Sequence, residues 1–252
     1  MPLREAEAFV LRSHPLGESD RVVTFLTRRV GKVRGVARGA RRSRKRFGSN
    51  LELLSRVRLS YFEKEGIDLS RVDSAELLES FYDLQADPER GAVLACFAEI
   101  ADAFCGEQQE DEHFFRLLHA SLRAVRDGLD LDWGARYFEI WTLRLHGVLP
   151  DFRCCAGCGN PLEGGGSYRR RVGGILCAGC GGASETGAIR LPGAALVAVD
   201  RIQRSAPEAL IGQRPDAAGL QALAALARVL FYELTEKRFK SYEVLEAVRG
   251  RG

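Results

Sequence analysis

Through about residue 73 the chain alternates apolar and polar positions in short runs broken by turn residues, the period expected of half-buried strands. The runs fall at residues 8–11, 22–27, 32–37, 57–62 and 67–72, separated by Gly17, Gly31, the stretch 39–50 and Gly66. Five short strands rich in Val, Leu and Phe predict a small closed β-barrel of the OB type, because closure removes the edges an open sheet would expose. A sandwich or an SH3-like barrel would show the same alternation.

From Ser74 the spacing becomes helical. Ser74 reads as an N-cap for Leu77, Leu78, Phe81 and Leu84. Asp87 followed by Pro88 opens a second helix with Val93, Leu94, Phe97, Ile100, Ala101 and Phe104 on one face. A third is predicted over 111–125. A fourth starts at about Leu131, carries Phe138, Trp141 and Leu145, and ends at Gly147 before Pro150. These helices are expected to pack as a bundle. After a glycine-rich break holding five of the seven cysteines, residues 192–205 read as a short helix and 220–248 as one long helix. The fold class is therefore α+β and multidomain: an OB barrel (1–80), a helical domain (81–150), an embedded cysteine module (151–187) and the helical domain continued (188–252).

Composition changes this picture little, but charge does. With 46% hydrophobic and 28% charged residues in 252, the chain can bury a core without disulfides. No signal region opens it and no run approaches 18 uncharged apolar residues, so it reads as cytoplasmic with no membrane partner. The net charge of +3 hides a segregation: 17 Lys/Arg face 11 Asp/Glu in residues 1–80, 6 face 13 in 81–150, and 14 face 10 in the remainder. Residues 28–46 hold ten basic side chains and no acidic one. Ten like charges without a counter-ion repel one another, which points to a polyanionic partner rather than an idle solvated face.

In that segment Val30, Val33 and Val36 are expected to anchor a strand from which Arg29, Lys32, Arg34 and Arg38 project, followed by a loop bearing Arg41, Arg42, Arg44, Lys45 and Arg46. Mobile cations on a barrel surface neutralise phosphates without sequence-specific geometry, as single-strand binding requires. Arg169, Arg170 and Arg171 form a second, smaller cluster of candidate DNA contacts. Of Tyr61 and Phe62, strand alternation leaves at most one free to stack on a base.

Cys155 and Cys158, then Cys177 and Cys180, form a C-x2-C-x18-C-x2-C pattern, the spacing of a tetrahedral four-thiolate zinc site. Two intervening residues let the backbone turn so that both sulfurs face one ion. Gly159 and Gly181 follow where a knuckle tolerates positive φ. Four thiolates leave zinc no open position, so one structural Zn²⁺ is expected and catalytic zinc chemistry is disfavoured. Cys154 is set aside because Cys155 reproduces the spacing of the second pair. Cys96 and Cys105 read as core.

There is no G-x-x-x-x-G-K-[ST], no H-E-x-x-H and no G-x-S-x-G, and the four histidines are scattered. Nothing proposes a catalytic residue, and no enzyme is expected.

The residues Ala8-Phe9-Val10-Leu11, Leu16 to Arg21, Leu26-Thr27, Gly31-Lys32 and Gly39 to Arg42, together with Leu149-Pro150, Cys155 to Gly159, Gly173-Gly174 and Cys177 to Cys180, resemble the bacterial RecO family of recombination mediators. The resemblance implies an OB domain, a helical domain and an embedded zinc module. It also implies binding to single- and double-stranded DNA, annealing of complementary strands, and loading of RecA with RecR and single-stranded DNA-binding protein, near the nucleoid. An RNA-binding or transcription-associated protein is the rival from another class, and a nuclease with structural zinc a third.

Overall fold

The computed structural model describes residues 2–42, 46–62, 69–107, 109–181 and 187–250. Its N-terminal part is a closed five-stranded barrel in the order β1-β2-β3-β5-β4, an OB fold, built from β1 (Leu3–Leu16), β2 (Asp20–Thr27), β3 (Gly31–Ala37), β4 (Arg56–Phe62) and β5 (Ser70–Glu79). The long β1 serves two neighbours. Leu3 to Phe9 pair with β4 and Ala8 to Leu16 with β2, with a bulge between Val10 and Arg12 where the strand bends from one ladder to the other. Val10, Val23, Phe25, Val33, Val57, Leu59, Tyr61 and Val72 fill the interior, and Phe47 and Leu51 join that core from the segment after β3.

Closure depends on a short seam. Among the described residues β3 and β5 pair in parallel over three residue pairs, Gly35 with Ser70 to Ala37 with Val72. Gly35 makes this approach feasible, since a Cβ there would stand 2.7 Å from Val72 Cγ2 and 2.9 Å from the Ser70 carbonyl oxygen.

The helices are α1 (Pro88–Phe104), α2 (Glu112–Arg126), α3 (Leu131–Leu145), the four-residue α4 (Ala178–Gly181), α5 (Gly193–Arg204), α6 (Ala217–Thr235) and α7 (Lys240–Arg249). Asp87 caps α1 by accepting from the Arg90 N–H at 2.8 Å, as the Asp-Pro signal predicts. Two expectations fail. The helix read from Ser74 is instead the second half of β5, where Ser74 opposes Ser60 and Leu77 opposes Val57, and only a 3-10 turn follows at Tyr82–Ala86. The ladder with β4 outweighs the local leucine spacing. The long C-terminal helix is two helices, because Glu236 takes a left-handed φ of 55° and ends α6.

By compactness the chain forms two units, Met1–Leu122 with Phe239–Gly252, and Arg123–Arg238. In the first, α7 docks on α1: Glu99 accepts from the backbone N–H of Ser241 at 2.8 Å and Arg249 pairs with Glu89 at 2.7 Å. Phe9, on the outside of the barrel, lies 4.9 Å from the Phe115 ring of α2. In the second, α6 packs on α3, α5 and β8 (Ile189–Pro192), with Gly219 so close to α5 that a Cβ would meet the Ala194 backbone at 2.8 Å. α6 is long and apolar enough to cross a bilayer, yet it buries Leu220, Leu223, Leu226, Leu230 and Phe231 in this unit, as a core helix does. Inside α3, Arg136 and Glu139 form a buried two-bond ion pair at 2.7 and 2.5 Å.

Candidate nucleic-acid interface and metal centre

Pleating sorts the basic residues of β3. Val33, Gly35 and Ala37 face inward, while Lys32, Arg34 and Val36 face outward, so Val36 is not the inner anchor the sequence suggested. Lys32 is outside the barrel but not free: its Nζ donates to the Asp102 carbonyl oxygen at 2.5 Å and sits 3.2 Å from that residue's carboxylate, leaving the side chain 17% exposed. Arg12 shares Asp102 at 2.8 Å. Arg28 is held by Glu112 at 2.6 Å and Glu7 at 3.3 Å, which raises its pKa and lowers that of Glu112. The β4–β5 side is likewise self-neutralised, with Arg56 on Glu7 and Glu79 and Arg58 on Glu76.

The remaining cations stand apart. Arg29, Arg34 and Arg38 are exposed, and among the described residues no carboxylate lies within 4.0 Å of them. Arg41 reaches only the Gly17 carbonyl oxygen at 3.4 Å, and Arg42 is 3.9 Å from a Glu18 that is 95% exposed, a pair worth little in water. Arg46 donates to the Arg38 carbonyl oxygen at 2.7 Å and lies over the Phe47 ring at 5.0 Å. Asp20 fixes the base of this loop by accepting from the Gly39 N–H at 2.8 Å and the Ser19 hydroxyl at 2.9 Å, and the Gly39 N–H is the main reason its carboxyl titrates below the usual range. Arg44 and Lys45 lie outside the described residues. Of the aromatic pair, Tyr61 is inside the barrel and Phe62 outside, with the Arg71 guanidinium 5.5 Å over its ring. Arg71 escaped sequence reasoning because only the β4–β5 register brings it to Phe62.

The cysteine module is organised by β6 (Gly165–Arg169) and β7 (Gly174–Leu176), which with β8 form a three-stranded sheet in the order β7-β6-β8. The first knuckle lies on this hairpin through the Ala156 N–H, which donates to the Ile175 carbonyl oxygen at 2.9 Å; Gly174 carries no Cβ where one would meet Ala156 at 2.6 Å. Gly159 has φ of 74°, as a knuckle requires. Gly181 instead ends α4, where a Cβ would stand 3.0 Å from the Ser167 hydroxyl.

The Sγ atoms of Cys155, Cys158, Cys177 and Cys180 all lie within 4.8 Å of one another, while Cys154 is exposed and outside the group. Cys158 and Cys177 are 3.8 Å apart, the edge of a tetrahedron whose metal–sulfur bonds are about 2.3 Å. Backbone N–H groups of Cys177 and Gly157 point at Cys155 Sγ from 3.3 and 3.4 Å, and the N–H of Cys177 first, then that of Cys158, then that of Gly157 push its pKa down to about 6. Cys180, ringed by the other three thiols, is pushed up to about 12. Four thiolates so close need a cation to ionise together, so the donor set fits a thiophilic ion with no position left for water.

The second arginine cluster divides differently. Arg169 is 6% exposed and donates to the Gly181 carbonyl oxygen, tying β6 to the end of α4. Arg170 pairs with Glu233 at 2.6 Å, the carboxylate that also accepts from the Tyr168 hydroxyl. Arg171 is exposed in the β6–β7 turn. Cys96 and Cys105 are buried.

Known proteins match along the same lines. The family description "Recombination protein O N terminal" fits residues 1–81 and "Recombination protein O C terminal" residues 85–243. A DNA repair protein RecO of Koribacter versatilis is 38% identical over 70% of this chain and 72% of its own. One from Anaeromyxobacter sp. strain K is 41% identical over 68% of each chain. One from Symbiobacterium thermophilum is 36% identical over 99% of each chain. With an OB barrel, a helical part and a four-cysteine cluster in the same order, the chain belongs to the RecO family of DNA repair proteins.

Proposed function

We propose that this chain is a non-catalytic mediator of DNA repair, cytoplasmic and nucleoid-associated, that binds single- and double-stranded DNA and anneals complementary strands. With RecR and single-stranded DNA-binding protein it helps to load RecA. The observation that carries the DNA-binding part is the division of charge around the barrel. Lys32, Arg28, Arg56 and Arg58 are paired within the fold, while Arg29, Arg34, Arg38, Arg41, Arg42 and Arg46 are left to meet phosphates. Arg44 and Lys45 extend the same segment in sequence.

Annealing then needs no chemistry. Arginines that hold two backbones by charge alone lower their mutual repulsion and leave the bases free to find their complements. A zinc ion on Cys155, Cys158, Cys177 and Cys180 would supply cross-linking of the two knuckles and no reaction step. Arg171 is a further DNA contact from the cysteine module.

A fluorescence-quench annealing assay tests this. Wild type should accelerate pairing of complementary single strands without ATP, most strongly where protein and strand concentrations roughly match, and less as salt rises. An absolute ATP requirement, or tighter binding to matched RNA than to DNA, would overturn it.

A further inference from the structure

Around the outside of the barrel, the ladder pairs line up one row of side chains. His14 pairs with Val22, Val22 with Val36, Val36 with Arg71, Arg71 with Phe62, and Phe62 with Leu3. Facing residues share a side of the sheet, so this row is a belt crossing all five strands. Its members differ from the outward residues on either side. One flank, Glu5, Ser60 and Ser74, is polar, and beyond it lies the paired set Glu7, Arg58 and Glu76. The other flank carries Arg34, while Arg38, one residue past the Ala37–Val72 pair, stands at the end of β3 on the Ser74 side. The belt itself is apolar and aromatic but for His14 and Arg71, and it is not covered: Leu3 is 52% exposed, Val22, Val36 and Phe62 are partly exposed, and Arg71 is exposed. Most outward residues that pack under helices, such as Phe9 and Leu26, are fully buried instead.

An exposed apolar row with one ring and one guanidinium in contact, next to unpaired arginines, matches what an unpaired nucleobase requires. Bases stack on aromatic rings and on guanidinium groups, and a duplex keeps those faces occupied by its own stack. We propose that the Phe62–Arg71 pair, with Val36 beside it, is a base-stacking subsite for single-stranded DNA. This rests on the DNA-binding reading above and adds to it the basis of strand preference. The free arginines hold any phosphate backbone, whereas the belt rewards only strands with unstacked bases. During annealing, bases would leave this platform when they pair, because the duplex offers no face to it.

The test uses the full chain with an oligothymidylate, the matching duplex, and a single strand carrying 2-aminopurine as a stacking reporter. Phe62→Ala should weaken single-strand binding by about tenfold, reduce the 2-aminopurine quench, and leave duplex affinity within about twofold. The slope of log K against log[salt] should not change, because no phosphate contact is lost. Phe62→Trp should restore both affinity and quench. Phe62→Leu, which keeps an apolar side chain on the strand, should behave like Phe62→Ala and covers the case in which alanine disturbs the barrel. Arg71→Gln should weaken single-strand binding and also flatten the slope by about 0.7. Equal losses on single strand and duplex, or an unaltered quench in both Phe62→Ala and Phe62→Leu, would overturn the subsite. If those variants bind normally while removal of the free arginines abolishes binding, the subsite fails and the DNA-binding reading stands. If wild type binds neither probe, both fall.

Discussion

Residues 28–46 and residues 169–171 are the two arginine-rich stretches of the chain, and folding treats them in opposite ways. In the first, Arg28 and Lys32 find carboxylates on helices α2 and α1, whereas Arg29, Arg34, Arg38, Arg41 and Arg42 stay exposed, the last of them 3.9 Å from an exposed Glu18. In the second, two of three arginines are engaged by the fold: Arg169, buried, on the Gly181 carbonyl, and Arg170, its side chain 62% exposed, on Glu233, with Arg171 facing outward unpaired among the described residues. Density of charge along the chain therefore does not measure charge offered to a partner. What decides is whether an acid or an unmet carbonyl from elsewhere in the fold lies within reach.

The sharpest way to break this contrast is to remove what holds the second stretch. Cys177→Ser should abolish metal binding by the four-cysteine cluster and melt the module, since such sites contribute on the order of 10 kcal/mol to local folding, whereas Cys154→Ser should be close to neutral. Calorimetry with elemental analysis checks this, and equal effects of the two changes would remove Cys177 from the ligand set. A smaller effect is expected from replacing Arg34, Arg38, Arg41, Arg42 and Arg46 by Gln. Five phosphate contacts on a single strand correspond to a slope of roughly −3.5 in log K against log[salt], and about that much slope should disappear. Titrations from 50 to 200 mM salt measure it, and an unchanged slope would move the interface elsewhere.

The converse change is Arg169→Met, which should cost about 1–3 kcal/mol of stability through the unmet Gly181 carbonyl while leaving DNA affinity unaltered. Loss of affinity without loss of stability would reverse the assignment of the two clusters. The smallest expected effect is acid sensitivity where carboxylates anchor the basic segment, Asp20 at the base of the loop and Glu112 at Arg28. Asp20 and Glu112 titrate below their ordinary values of 3.8 and 4.5 because of Gly39 and Arg28 respectively. Their folded pKa values are depressed, so their contribution is complete above the unfolded values and is lost as pH falls below about 4. Denaturation midpoints between pH 6 and 3 should decline less for Asp20→Asn than for wild type.

How much of this could be read from residues alone depended on the range of the interaction. The cysteine set is legible because each knuckle is closed within five residues, and α1 because Asp87 and Pro88 carry its start locally. The barrel strands are legible from their alternation, except where β5 borrows helical leucine spacing and only its ladder with β4 decides. The break after Thr235 has no glycine or proline to announce it. The fate of Lys32 was invisible because Asp102 lies 70 residues away, and that of Arg28 because Glu112 lies 84 away. Arg71 belongs to the same class, since a register, not a motif, sets it against Phe62.

The seam between β3 and β5, three pairs long among the described residues, has a consequence in time. A barrel opens first where fewest ladder bonds must break together, and here that place joins strands whose seam residues are 35 apart in sequence, Gly35 and Ser70. Amide hydrogens of residues 35–37 and 70–72 should therefore exchange sooner than those of the β1–β2 ladder. Val36 and Arg71 face one another across this seam, so a strand bound there would act as a clasp on the barrel's weakest joint. Slower exchange at these few amides, at saturating oligonucleotide, would record how long the clasp stays shut.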